Sequence, residues 1–167
     1  MKSDYEFKAN AVGVVEEGPS EEGERNKGRY EVLSRIRVFP EFTDGLPGIG
    51  EYSHLIVVWH MDKEREVKLK VKPRGHIDMP QVGIFATRFP PRPNHIATSV
   101  VELVNASSSY LTVKGLDAWT GSPVLDIKPY DYWDMVKNPK VPSWFKLFWE
   151  ERSSQRHYAK NVPWLGP

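Results

Sequence analysis

The chain contains no cysteine among its 167 residues. A disulfide framework, a cysteine-ligated zinc site and a thiol nucleophile are therefore excluded. Long apolar runs are also missing, and the polar start Met1–Glu6 is not followed by the apolar stretch of a signal peptide. These absences predict a soluble, cytoplasmic protein without a membrane segment.

Charge of one sign is not in excess either, because the formal net charge is only +1. Recognition of nucleic acid by charge needs a basic domain or a basic cluster, so the sum alone indicates no partner. The distribution is uneven, with an acidic N-terminal part and a basic middle stretch. That stretch contains Lys63, Arg65, Lys68, Lys70, Lys72 and Arg74.

Three common site signatures are missing from the sequence. No Gly-x-Gly-x-x-Gly follows a strand, no Gly-x-x-x-x-Gly-Lys-Ser/Thr occurs, and no two histidines have His-Glu-x-x-His spacing. A Rossmann-type site, a P-loop and a zinc hydrolase therefore lack support. No metal ion is expected.

Short apolar stretches separated by glycine and proline turns predict about eight β-strands. These stretches are 11–15, 36–39, 55–59, 67–72, 82–87, 98–104, 110–116 and 124–127. In 67–72, Val67, Leu69 and Val71 alternate with three lysines, which predicts an inner apolar face and an outer row of lysines. The pattern predicts a mainly β, single-domain barrel or sandwich with its core over about residues 10–130.

The C-terminal part, about residues 131–167, is the only segment with a helical pattern. Its apolar residues recur at spacings of three and four, which predicts an amphipathic helix with Ser143 as N-cap after Pro142. They are Trp144, Phe145, Leu147, Phe148 and Trp149. This stripe packs either on the chain's own barrel or against a second subunit, and the sequence leaves both open.

A proline-rich loop follows Gly83–Thr87 and carries Arg88, Arg92 and Asn94. Proline fixes φ, so Arg92 and Asn94 lose little entropy on binding a ligand. The arginine fork suits a carboxylate or a phosphate. A structural loop, or a PxxP segment bound by a partner domain, is the alternative.

A second informative stretch runs from Thr120 to Tyr130. Asp126 and Lys128 alternate onto the same strand face around Ile127, where they can pair with each other. Pro129 then ends the strand and presents Tyr130.

Together these two stretches resemble the TsaA-like family of S-adenosylmethionine-dependent tRNA methyltransferases. The resemblance is carried by Phe85-Ala86-Thr87-Arg88, Arg92-Pro93-Asn94 and Pro123 through Tyr130, with support from Val12–Val15, Gly48-Ile49 and Tyr52–Leu55. It implies one β-barrel domain over residues 1–167, usually dimeric, with S-adenosyl-L-methionine as cofactor. The implied reaction is transfer of a methyl group to N6 of threonylcarbamoyl-adenosine beside the tRNA anticodon.

The resemblance also implies roles for individual residues. The cofactor contacts are Asp62, Lys63, Arg88, Thr98, Thr120, Gly121, Ser122 and Pro123. Arg92 and Asn94 face the substrate, and Asp126, Lys128 and Tyr130 form the catalytic group. Because the exocyclic nitrogen loses a proton, Asp126 or Tyr130 is the hypothesised acceptor or relay. The row of lysines either follows the RNA backbone or is a solvated face.

Several residues depart from the family's usual pattern. They are Phe89 for Ser, His95-Ile96-Ala97 for Pro-Ile-Gly, Thr120 for Asp, Arg25-Asn26-Lys27 for an early Pro-Arg-Gln, and His60 for a histidine nearer Asp62. Cofactor contacts made by backbone groups survive such changes. Two alternatives therefore stay open: a non-catalytic barrel that binds the cofactor or RNA, and a methyltransferase with a different acceptor.

Overall fold

A computed structural model of the chain describes residues 5–20, 32–73 and 79–146. Within these ranges the chain forms β-strands joined by loops and short 3₁₀ helices. The strands are β1 (Gly13–Glu17), β2 (Leu33–Val38), β3 (His54–His60), β4 (Lys70–Val71), β5 (Val82–Gly83), β6 (Ile96–Ala106), β7 (Tyr110–Lys114) and β8 (Pro123–Pro129). The 3₁₀ helices are Pro40–Gly45, Ile49–Glu51, Ile84–Ala86 and Tyr132–Asp134.

Six of these strands close into a barrel in the order β1-β2-β7-β6-β3-β8. Every neighbouring pair in the barrel is antiparallel. The mainly β prediction is therefore confirmed, and the architecture is the barrel rather than the sandwich.

Strand β3 lies between β6 and β8 in the barrel, and its alternating residues show how the core is filled. Its residues Leu55, Val57 and Trp59 are buried, while the alternate residues are only half-buried on the outer face. Each buried apolar side chain contributes roughly 1.5–3 kcal/mol to stability. The indole Nε1 of Trp59 donates a hydrogen bond to Oγ of buried Ser99 at 3.1 Å, so its polar group is also satisfied.

A β-bulge in β1 shifts the register with β2 between Val15 and Glu17. Because of the bulge, Arg35 on β2 forms ion pairs with both Glu16 and Glu17, and Arg37 donates from Nε to Glu16 at 3.0 Å. Such exposed pairs contribute little to stability. Their effect is to hold one pairing of β1 with β2.

The chain separates into two compact units. The first comprises the chain up to Val67 together with Pro90–Tyr130 and contains the barrel, and the second comprises Lys68–Phe89 with the chain from Asp131. In the second unit β4 and β5 form a two-stranded sheet of their own.

Two of the predicted strands are much shorter than expected. The stretch 67–72 has only Lys70–Val71 in a strand, and Val67 and Leu69, predicted to point inward, are exposed. The stretch 82–87 has only Val82–Gly83, because the chain then turns into the 3₁₀ helix Ile84–Ala86. An alternating pattern does not supply a partner strand, and among the described residues β4 pairs only with another two-residue strand.

The predicted C-terminal helix begins within the described part of the chain. Residues 143–146 are helical, and the carbonyl of Pro142 accepts from the backbone N–H groups of Phe145 and Lys146 at 3.0 and 3.2 Å. Ser143 therefore lies in the first turn instead of capping it. Leu147, Phe148 and Trp149 lie outside the described residues, so the apolar stripe stays a prediction.

Two kinds of feature are absent from the described ranges. None of their helices has the length and apolar character needed to cross a bilayer. Nor do they contain a group of three or more His, Cys, Asp or Glu side chains that could hold a metal ion.

Candidate functional site

The ends of three barrel strands meet where β3 finishes. His60 at the end of β3 pairs with Ile96 at the start of β6, and the neighbouring Trp59 pairs with Val124 at the start of β8. Just past the strand, the backbone N–H of Met61 donates to the carbonyl of His95 at 2.8 Å. The turn after β3 and the loops that precede β6 and β8 therefore lie at one end of the barrel.

The loop before β8 is held by the end of β1 through backbone groups. Gly121 N–H donates to the carbonyl of Val15 at 2.8 Å, and Thr120 N–H donates to the carbonyl of Pro19 at 3.0 Å. The hydroxyl of Thr120 adds a bond to the carbonyl of Gly18, also at 3.0 Å. Gly121 has φ of +91°, a left-handed conformation that favours glycine. This loop is consequently fixed in a tight turn.

The same loop contacts the turn after β3 through side chains. Ser122, which is fully buried, donates from Oγ to Oδ1 of Asp62 at 3.1 Å. Nζ of Lys63 lies 5.1 Å from the centroid of the Trp119 ring, within cation–π range. Residues some sixty positions apart in the chain thus form one cluster. We call Asp62, Lys63, Trp119 and Ser122 the end cluster.

His95 fastens the turn that carries Asp62. Its backbone has φ of +49°, and its Nε2 lies 2.8 Å from the carbonyl oxygen of Glu66. Arg65, which belongs to the same turn, stabilises it by donating a hydrogen bond from Nη1 to the carbonyl of Asp62 at 2.5 Å. The residue that departs from the family pattern at position 95 is therefore part of the support of the end cluster.

Thr98 and Asp126 lie on the outer face, one step in from this end of the barrel. Both residues pair with Val58 of β3, so their side chains leave the same side of the sheet. Asp126 accepts from the Ile127 N–H at 2.9 Å and forms an ion pair with Lys128. The pairing of Asp126 with Lys128 that the sequence allowed is present.

Tyr130 lies at the opposite end of β8. Its N–H donates at 3.0 Å to the carbonyl of His54, the residue that begins β3, and the two rings are 6.4 Å apart. Strand β8 has seven residues, so its ends are about 20 Å apart at ~3.3 Å per residue. Within one chain, Tyr130 is therefore far from the end cluster. Lys128, two residues before Tyr130, also lies nearer to Tyr130 than to that cluster.

The remaining predicted residues are in the proline-rich loop. Half-buried Arg92 donates its N–H to the carbonyl of Pro90 at 2.6 Å and accepts from the His95 N–H at 3.3 Å, which makes a compact turn into β6. Asn94 in this turn is exposed. Arg88 belongs to the second unit and is exposed after the 3₁₀ helix. The roles predicted for these three side chains stay predictions.

Sequence reasoning missed three participants in this site. Trp119 directly precedes the predicted loop, so a search for aromatic neighbours would have found it. His95 is a departure from the family pattern, and the resemblance gives it no role. Gly18 takes part through its carbonyl oxygen, for which a sequence carries no signal.

The chemistry of the end cluster suits a small ligand with charges of both signs. The carboxylate of Asp62 attracts a cationic group, and the ammonium of Lys63 attracts an anionic one. The indole of Trp119 offers an apolar face, and the bond from Ser122 fixes the carboxylate in place. S-adenosylmethionine, with its sulfonium, ammonium and carboxylate groups, matches this set.

The hydroxyl of Thr120 provides a test of how the loop is held. Thr120→Val removes the bond to Gly18 at nearly constant volume and is expected to lower the stability of the protein by about 1 kcal/mol. It is also expected to weaken ligand binding several-fold, because the Gly121–Ser122 segment loosens. Thr120→Ser keeps the hydroxyl and should restore both quantities. Equal losses for Val and Ser in thermal unfolding would show that the hydroxyl does not hold the loop.

Comparison with known proteins gives consistent matches. The family model described as the tRNA-methyltransferase O N-terminal domain matches residues 21–135. A probable S-adenosyl-L-methionine-binding protein of Archaeoglobus fulgidus is 48% identical over 113 residues, covering 66% of this chain and 30% of that protein. The human tRNA (adenine(37)-N6)-methyltransferase is 35% identical over 98 residues, covering 58% of this chain and 22% of the human protein.

A solved structure agrees at the level of the fold. The crystal structure of TrmO from Pseudomonas aeruginosa superposes with a TM-score of 0.66 at 24% identity, covering 86% of this chain and 64% of that chain. In each of these three comparisons the chain spans less than two thirds of the other protein. The family match extends over more than half of the chain and includes both the turn after β3 and the loop before β8. The chain therefore belongs to the family of the tRNA-methyltransferase O N-terminal domain, as the resemblance of its motifs predicted.

Proposed function

We propose that this chain is an S-adenosylmethionine-dependent methyltransferase that methylates N6 of an adenine beside the tRNA anticodon, with threonylcarbamoyl-adenosine as the acceptor. The observation that carries the proposal is the end cluster, in which Asp62, Lys63 and Ser122 meet beside Trp119. The names of the human relative and of the family model support the tRNA substrate. A cytoplasmic location, where tRNA is available as substrate, is part of the proposal.

The residues of the end cluster would hold the cofactor. Asp62 would bind its positively charged part, Lys63 its carboxylate, and the backbone of Gly121 would allow close approach. The cofactor itself supplies a methyl group on a cationic sulfur. Because methyl transfer is an in-line displacement, the protein mainly has to align donor and acceptor and exclude water. The fixed loop 119–122 and the fastened turn 61–66 suit that task.

Asp126 is the proposed acceptor of the proton that the exocyclic nitrogen loses. Asp126 and Thr98 both pair with Val58 on the outer face, close to the end of the barrel that carries the end cluster. A substrate bound at this position would contact both Asp126 and the bound cofactor. The ion pair with Lys128 would hold the carboxylate of Asp126 in position. Arg92 and Asn94 are proposed to hold the carboxylate of the threonylcarbamoyl group or a phosphate.

A homodimer is part of the proposal, because it accounts for two observations. The outer face of β6 carries three exposed apolar residues, namely Ile96, Val100 and Val104, with Thr98 and Glu102 between them. Exposed apolar residues grouped on the outside of a barrel favour a protein contact. In addition, Tyr130 lies about 20 Å from the end cluster of its own chain along β8. We propose that a second copy packs on this face and supplies its Tyr130 to the site.

Mixing two inactive variants tests this arrangement. Asp62→Ala and Tyr130→Phe are each expected to lose most of the methyl transfer. Random pairing of the two puts half of the chains into mixed dimers, and each mixed dimer has one intact site if the site is shared between chains. The mixture should therefore recover about one quarter of the wild-type rate. A mixture that stays at the level of the separate variants contradicts a shared site.

The function itself is tested in two steps. Calorimetry with S-adenosylmethionine and its demethylated product should show binding by the folded protein. Transfer of a labelled methyl group to tRNA that carries threonylcarbamoyl-adenosine should follow, with no transfer to tRNA that lacks it. Binding without transfer to any cellular RNA would favour the non-catalytic barrel. Transfer to a small molecule or a protein would favour the alternative acceptor.

A further inference from the structure

The second unit contains a small hairpin, of which only Arg88 was assigned above to the cofactor site. Lys70 pairs with Gly83 and Val71 with Val82, and the N–H of Ile84 donates to the carbonyl of Leu69 at 2.9 Å. The side chain of Ile84 is buried, which anchors the 3₁₀ helix that follows. We call the described residues 68–73 and 79–89 the basic hairpin.

Phe85 in this 3₁₀ helix is presented to solvent in a fixed position. Its relative exposure is 78%, although its neighbour Ile84 is buried. The turn is closed by Thr87, whose N–H and hydroxyl donate to the carbonyl of Ile84 at 3.0 and 2.9 Å. The Phe89 N–H in turn donates to the Thr87 hydroxyl at 3.2 Å. A large uncovered ring on a hydrogen-bonded turn indicates a surface for binding.

The described residues of the basic hairpin carry charge of one sign. The charged residues of the basic hairpin are all cationic and exposed, namely Lys68, Lys70, Lys72 and Arg88. Within the described residues 68–73 and 79–89 there is no aspartate or glutamate. An aromatic ring among cations is the combination with which proteins bind single-stranded nucleic acid, since the ring stacks on a base and the cations follow the phosphates.

We infer that the basic hairpin binds the single-stranded part of the RNA substrate, with a base stacked on Phe85 and phosphates beside Lys70. This inference rests on the proposed function and adds the surface that holds the RNA. A second pair of exposed aromatics, Tyr132 and Trp133, differs in its surroundings. These rings lie between the carboxylates of Asp131 and Asp134, which repel phosphates. They provide a matched control.

The test measures binding of a fluorescent anticodon stem-loop RNA by anisotropy over a series of salt concentrations. Phe85→Leu keeps an apolar side chain but removes the ring, and it should weaken binding about tenfold. Phe85→Trp keeps a stacking surface and should retain the affinity. Lys70→Gln should reduce the slope of log affinity against log salt by about 0.7. Tyr132→Leu should change neither quantity, and Phe85→Leu should not change binding of duplex RNA.

The outcomes separate this inference from the proposed function. If the wild-type protein binds and methylates the RNA, while Phe85→Leu and Lys70→Gln bind like wild type, the surface lies elsewhere and only this inference fails. If the folded protein binds S-adenosylmethionine but neither binds nor methylates RNA, both fail together. If Phe85→Leu weakens binding of single-stranded and duplex RNA equally, the stacking contact is also overturned, because bases in a duplex are already paired and stacked on each other.

Discussion

Replacing Asp62 by alanine is expected to raise the Kd for S-adenosylmethionine about tenfold to a hundredfold. A hydrogen bond or ion pair to a charged group contributes about 1.5–3 kcal/mol, and each 1.4 kcal/mol is about tenfold in affinity. The change also leaves the hydroxyl of buried Ser122 without its acceptor. Calorimetry on the purified variant measures the loss directly.

Two further variants identify what Asp62 contributes. Asp62→Asn keeps an oxygen that can accept from Ser122 but removes the charge, so a loss close to that of alanine assigns the effect to the charge. Asp44→Ala, at an exposed carboxylate in the 3₁₀ helix Pro40–Gly45, controls for net charge and should bind normally. Wild-type affinity in Asp62→Ala would remove the end cluster from cofactor binding.

Gly13→Ala is expected to lower the free energy of unfolding by about 3 kcal/mol, and Tm by about 10 °C. A Cβ at Gly13 would lie 2.4 Å from the carbonyl oxygen of Arg37 and 3.2 Å from Cα of Val38. Both are backbone atoms of β2, so neither can rotate away. Relief requires β1 to move off β2, and β1 also pairs with β8 and holds the loop 119–122.

Gly45→Ala is the matched control for this prediction. Nothing lies within 4 Å of the position that its Cβ would take. The change is therefore expected to alter stability by less than about 0.5 kcal/mol. Thermal and urea unfolding measure the stability of both variants. If Gly13→Ala and Gly45→Ala lose similar free energies of unfolding, the close contact at Gly13 does not control stability.

A local apolar pattern predicts a strand correctly where the strand lies between two partner strands. Leu55, Val57 and Trp59 alternate with less buried residues, and β6 and β8 cover both sides of their strand. The same alternation failed at Val67 and Leu69, since none of the described barrel strands pairs with them. Periodicity reports which side of a strand is apolar, but it does not report whether the barrel provides a neighbour.

The candidate site also has parts that the sequence predicts and parts that it does not. Resemblance brought Asp62 and the loop Thr120–Pro123 into one predicted group, and the structure places Ser122 against Asp62. The same resemblance grouped Tyr130 with them, although it lies at the far end of β8. The support by Gly18 and the bond from His95 to Glu66 use backbone carbonyls, which every residue possesses. Such contacts depend on how the chain is folded and have no signature in a sequence.

Closure of the barrel has a consequence for how the protein behaves at high concentration. Each of the six barrel strands has a partner on both sides, so that sheet offers no open edge to which another molecule could add a strand. Among the described strands, only β4 and β5 have a free edge, and each is two residues long. Lys70 lies in β4 and Lys72 follows it, and edge lysines discourage strand addition. The cations inferred to hold RNA would then also keep unoccupied molecules from joining edge to edge.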